Sequence, residues 1–137
     1  SRLMLGVWQR EWQIALVAVQ QRLAVADATD LKTLHRLRIR YKNFRYLLEL
    51  MLEAGLPLSL DPSALKYWQT LLGDVEDYRV MAKWVLKLGG SEELHEQFAN
   101  QARKNALAFI QKKDEFSNFI KTIDQQIAGN AGWSDLC

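Results

Sequence analysis

Apolar residues recur every three or four positions through most of this chain, a spacing that is typical of α-helices. The clearest example lies between residues 31 and 54. Six positions there share one face of a helix: Leu34, Leu37, Tyr41, Phe44, Leu48 and Met51. This spacing predicts a helix that buries these side chains against the rest of the domain.

The same criterion predicts four helices, over about residues 3–25, 31–54, 62–88 and 91–128, followed by a loose tail at 129–137. Short polar segments separate the predicted helices. Thr29 or Asp30 can cap the second helix, Asp61 with Pro62 should open the third, and Ser91 should cap the fourth after two glycines. Because the connections are short, we expect an all-α, antiparallel four-helix bundle forming one domain. The fourth helix is long, so we expect a bend or break near residues 114–118.

The first helix carries two apolar stripes. One stripe contains Trp8, Trp12, Ala15, Leu16, Val19 and Leu23. The other, on a nearly opposite side, contains Leu3, Val7, Ile14 and Val17. A helix that is apolar on two sides needs two neighbours. Either both stripes face a crowded core, or the second one meets another domain half or a partner chain.

In the third helix, Gly73 interrupts a strong helical pattern at a cost of about 1 kcal/mol relative to alanine. One explanation is that a neighbouring backbone, such as that of the second helix, approaches closely at this point. The alternative is that the glycine has no structural role.

Positive charge is concentrated on the second helix. Residues 31–48 hold six of the eighteen basic residues and none of the sixteen acidic ones. His35, Arg38, Lys42 and Arg45 share an arc of about 80°, opposite the apolar face, and Glu49 ends the row. The row from His35 to Arg45 is about 15 Å long, which suits a chain-like polyanion better than a single ion.

A basic helix face can also serve only to keep a protein in solution. Arginine outnumbers lysine here, however, and its planar guanidinium can donate two parallel hydrogen bonds to a phosphate. His35 would add charge when it is protonated.

The segment LHRLRIRYKNFRYLLEL also resembles the signature of the CHAD family, the conserved histidine α-helical domains. The matching positions are His35, Arg38, Lys42, Arg45, Tyr46 and Glu49. A second family element is matched by LKYWQTLLGDVEDYRVM, through Leu65, Lys66, Gln69, Leu72, Gly73 and Asp77.

This resemblance implies an all-helical domain that binds inorganic polyphosphate without catalysis. CHAD domains normally contain two similar four-helix halves, and this chain has room for one, resembling the C-terminal half. The surface that would meet the other half should then drive homodimer formation.

The expected polyphosphate-binding residues are His35, Arg36, Arg38, Lys42, Arg45 and Lys66, supported by Tyr46, Glu49 and Asp77. Asp74, Glu76 and Asp77 form an acidic group that could bind a divalent cation but more readily neutralises Arg38 or Lys42. Among these three residues, the resemblance favours Asp77 as the partner of Arg38 or Lys42. The alternative function is a helical module that uses the same basic face for protein or nucleic acid.

Several other functions are disfavoured. With two histidines and one cysteine, no metal site, cofactor site or catalytic residue is expected. Single-stranded nucleic acid is disfavoured as a partner, because Tyr41 and Phe44 should point into the core instead of offering stacking surfaces. No apolar stretch is long enough for a membrane span. Since Cys137 is the lone cysteine, a reducing compartment such as the cytoplasm is expected.

Overall fold

The computed structural model describes residues 2–129, with side chains from Gly6 onward, and most of these residues are helical. The helices are α1 (Arg2–Ala24), α2 (Leu31–Glu53), α3 (Pro62–Lys87), α4 (Glu92–Gln111) and α5 (Lys113–Ala128). The predicted all-α class is confirmed. Residues 130–137 of the predicted tail lie outside the described part of the chain.

Three of the helices begin with the side-chain caps that the sequence predicts. The side chains of Asp30, Asp61 and Ser91 accept hydrogen bonds from backbone N–H groups in the first turns of α2, α3 and α4, respectively. Pro62 occupies the first turn of α3, where its missing N–H group costs no hydrogen bond. The capping predictions are therefore confirmed.

The segment predicted as a long fourth helix, with a bend or break near residues 114–118, consists of α4 and α5, which meet at Lys112, just before the predicted position. Phe109 and Phe116 lie on either side of this junction, with their ring centroids 5.6 Å apart. The break turns α5 back towards α1, where Trp12 Nε1 donates a 2.9 Å hydrogen bond to Asp124. Tertiary packing of the aromatic residues thus ends α4 although the apolar periodicity continues.

The α2 helix lies at the centre of the core. All six predicted core residues of its apolar face are buried. The Tyr41 hydroxyl donates a 2.7 Å hydrogen bond to the carbonyl oxygen of Leu65, which joins α2 to α3 deep in the molecule. Burial raises the pKa of Tyr41 above its ordinary value, so the hydroxyl remains a donor at neutral pH.

The two stripes of α1 have different surroundings. Trp12, Leu16, Val19 and Leu23 are buried, whereas Val7, Ile14 and Val17 are exposed. The side chain of Leu3, which belongs to the second stripe, lies outside the described side chains. Among the described residues, therefore, the second stripe has no covering element within this chain.

In the part of the chain that the structure describes, no helix has an apolar stretch long enough to cross a lipid bilayer.

Candidate anion-binding site

The basic row of α2 faces a matching stripe on α3. His35, Arg38, Lys42 and Arg45 are spaced three, four and three residues apart, and so are Lys66, Gln69, Gly73 and Glu76. Because α2 and α3 run antiparallel, the first members of one stripe lie opposite the last members of the other. We call these eight residues the basic seam.

Contacts at both ends of the basic seam support this register. His35 Nδ1 lies 3.2 Å from Glu76 Oε1. A methyl group placed on Gly73 would lie 3.9 Å from Arg38 Nε. At the other end, Arg45 and Lys66 line the same groove. The four side chains of the basic row are consequently half-buried at the edge of the α2–α3 contact and do not project freely into solvent.

Four of the six predicted cationic residues have no carboxylate partner in the described range 2–129. These are Arg36, Arg38, Lys42 and Lys66. In addition, the Nε atoms of Arg38 and Arg45 are buried without a hydrogen-bond partner. The side chains that lack an internal counter-charge can pair with an external anion.

Arg45 is paired, but with an exposed group. Its Nη1 atom donates a 2.9 Å hydrogen bond to Glu49, whose side chain is 46% exposed. Tyr46 lies beside the same guanidinium, with its ring centroid 4.7 Å from Arg45 Cζ and 5.9 Å from Lys42 Nζ. A surface ion pair of this type contributes about 0.2–1 kcal/mol, so a phosphate could displace Glu49 at small cost.

A groove of about 390 Å³ opens at the Arg45 end of the basic seam. Its polar wall is formed by Arg45, Glu49, Lys66 and Gln69, and its apolar wall by Leu52, Leu60, Pro62 and Leu65. Two positive side chains from different helices thus converge on one concave surface, which is a suitable geometry for an oligomeric anion.

The His35 end of the seam contains a carboxylate. Glu76 is 11% exposed and accepts two hydrogen bonds from Arg79, of 2.9 Å from Nε and 2.7 Å from Nη2. Burial on its own would raise the pKa of Glu76. The hydrogen bonds and charge of Arg79, with the charges of His35 and Arg38, outweigh burial and hold that pKa below its ordinary value. Glu76 is therefore ionised at neutral pH.

Two expectations about α3 are wrong. The carboxylate that faces the basic row is Glu76, whereas Asp77 is exposed and forms no ion pair with a described residue. The rotation of α3 about its axis decides this, since neighbouring positions on a helix are 100° apart. Gly73 does not admit a neighbouring backbone either, because its nearest neighbour is the Arg38 side chain.

Sequence reasoning did not identify Arg79 as the residue that holds Glu76 by two hydrogen bonds. The position of Glu76 itself could have been identified, because it continues the spacing of Lys66, Gln69 and Gly73 on one face of α3.

Within the described residues, no group of three or more His, Cys, Asp or Glu side chains is arranged to hold a metal ion.

The chain matches a protein-family model. The model of the CHAD domain matches residues 4–86, which is more than half of the chain and covers α1 to α3 up to its last turn. Comparisons with curated proteins and with solved structures found no match.

Proposed function

Because this chain belongs to the CHAD domain family, we propose that it binds inorganic polyphosphate along the basic seam and catalyses no reaction. The CHAD family is associated with polyphosphate binding in general. The proposal assigns the contacts with phosphate chiefly to Arg38, Lys42, Arg45 and Lys66. Arg36 is exposed and lies about 100° around α2 from His35, so it would contribute a weaker and more solvated charge.

One observation carries this proposal. From Arg38 to Arg45 the seam extends about 10 Å along α2 and presents cations without strong internal partners. Repeating phosphates can bridge several of them together, and each charge-assisted hydrogen bond contributes about 1.5–3 kcal/mol when it is partly desolvated. A single small anion would engage only part of the row.

The alternative is a module that binds nucleic acid or acidic protein through the same face. Tyr41 and Phe44 are fully buried, so Tyr46 is the one aromatic side chain of α2 that is available for stacking on a base beside the seam. Base stacking provides much of the affinity for single strands, so this arrangement favours polyphosphate.

Titration with three ligands of matched charge tests the proposal: long-chain polyphosphate, a single-stranded oligonucleotide and a polyglutamate peptide. Affinities should be measured by calorimetry at two salt concentrations, because the ionic part of the affinity falls as salt rises. We expect polyphosphate to bind at least tenfold more tightly than the other two. Equal affinities would mean that the seam is a general counter-charge and would contradict the proposal.

We further propose that the exposed stripe of α1 pairs with a second copy of the chain. A groove of about 520 Å³ next to Ile14 and Val17 also contains Arg22 and Arg40. Glu11 lines an adjoining groove, nearer the start of the helix. In a twofold, antiparallel arrangement of two α1 helices, Glu11 of one copy would approach Arg22 of the other while the apolar residues meet between them.

Replacing Ile14 by glutamate tests this pairing. We expect light scattering at high micromolar concentration to give a dimer for the natural sequence and a monomer for Ile14→Glu, because a charge in an apolar interface costs several kcal/mol. Leu107→Glu on α4 is the control, since Leu107 is 55% exposed and Ile14 is 57% exposed. A monomeric natural sequence would contradict the proposal.

A further inference from the structure

Glu76 is the carboxylate built into the basic seam. Both carboxylate oxygens of Glu76 accept hydrogen bonds from Arg79, which lies on the next turn of α3. The Oε1 atom of Glu76 also lies 3.2 Å from His35 Nδ1. Glu49 at the opposite end differs, because it is exposed and has one hydrogen-bond partner. Glu49 can turn towards solvent when an anion arrives, whereas Glu76 is held in position.

We infer that Glu76 is an internal competitor that occupies the His35 end of the basic seam and restricts a bound polyanion to the part between Arg38 and the Arg45–Lys66 groove. This inference rests on the proposed function and adds a residue that limits affinity and footprint. It follows from the position of Glu76, whose ionised carboxylate lies 3.2 Å from His35 Nδ1 and would repel a phosphate placed over that ring.

The contact between His35 and Glu76 explains why a phosphate does not readily replace Glu76 beside His35. His35 Nδ1 is a buried atom, and although Glu76 Oε1 is close enough for an ion pair, the angles do not form a hydrogen bond. A phosphate that approached His35 would have to come close to an ionised carboxylate that Arg79 holds by two hydrogen bonds. The field of that carboxylate also reaches Arg38, so its removal should strengthen the central part of the seam as well.

Glu76→Gln removes the charge and keeps the size of the side chain. We expect it to tighten binding of long-chain polyphosphate by about fivefold at low salt, the size of the interaction between two charges 4 Å apart in a watery environment. The matched control is Asp74→Asn, which makes the same charge change at an exposed position of α3 that has no ion pair among residues 2–129. Asp74→Asn should alter the affinity by less than twofold.

Two further readouts separate competition from a structural effect. The slope of log affinity against log salt should become steeper by about one ionic contact in Glu76→Gln, because Arg79 loses its ion pair with Glu76 and its charge becomes available to the ligand. In a double-mutant cycle, His35→Gln should weaken binding more in the Glu76→Gln background than in the natural sequence. Circular dichroism checks that each variant keeps its helices.

The outcomes distinguish the two proposals. If the natural protein binds no polyphosphate, the proposed function fails and the inference fails with it. If the natural protein binds but Glu76→Gln and Asp74→Asn behave alike, or Glu76→Gln weakens binding, the inference alone is overturned. If Glu76→Gln does not fold, His35→Gln in the natural sequence still decides: a loss as large as that of Arg38→Ala would contradict the inference.

Discussion

Replacing Arg38 by alanine is expected to weaken polyphosphate binding about tenfold, which corresponds to about 1.4 kcal/mol. Arg38 lies at the middle of the basic seam, has no carboxylate partner in the described part of the chain, and carries a buried Nε without an acceptor. Its guanidinium lies close to Gly73 of α3 and has no ion pair to break before it binds a phosphate. Calorimetric titration at about 0.1 M salt measures the change.

Arg103→Ala is the control for this prediction. It removes the same residue type and charge from an exposed position on α4, where Arg103 contacts exposed Glu96. The control should change the affinity by less than twofold, because screening weakens interactions beyond about 10 Å at ordinary ionic strength. Similar losses in the two variants would mean that net charge, and not the seam, determines the binding.

The largest expected effect on stability comes from Phe44→Ala, which should lower the free energy of unfolding by about 3–5 kcal/mol. Phe44 is fully buried in α2, on the face opposite the basic row, and its ring centroid lies 4.7 Å from that of Trp12 in α1. Truncation would leave a cavity between the two helices that the surrounding side chains could fill only in part. Urea denaturation followed by circular dichroism measures the loss.

Leu50→Ala provides the comparison for Phe44→Ala. Leu50 lies on the same helix and is more than half exposed, so its truncation should cost less than about 1 kcal/mol. If Phe44→Ala lowered the free energy of unfolding no more than Leu50→Ala, the contact between Phe44 and Trp12 would not hold α2 against α1. The orientation assigned to the basic face would then be wrong as well.

The buried face of α2 could be predicted from the sequence because it depends on local periodicity. Leu34 to Met51 repeat with the helical spacing, and a single stripe of this kind leaves one way to face a core. The break at Lys112 could not be predicted from periodicity, although the length of the segment predicted one near residues 114–118. The apolar stripe continues from Phe109 to Phe116 without a glycine or proline, and the helix ends because α5 packs back towards α1.

The basic row itself was visible in the sequence, but its partners were not. Which carboxylate faces His35 depends on the rotation of α3 relative to α2, and a difference of one residue separates Glu76 from Asp77. The same rotation places Gly73 beside the Arg38 side chain. These are tertiary relations, which the spacing within one helix leaves undetermined.

Binding along the basic seam can be tested by mapping the amide and arginine side-chain NMR shifts during a titration with polyphosphate. We expect the changes to concentrate at Arg38, Lys42, Arg45 and Lys66, while Arg40 in the groove between α1 and α2 changes little. Changes centred on Arg22 and Arg40, or spread evenly over the basic residues of the chain, would contradict binding along the seam.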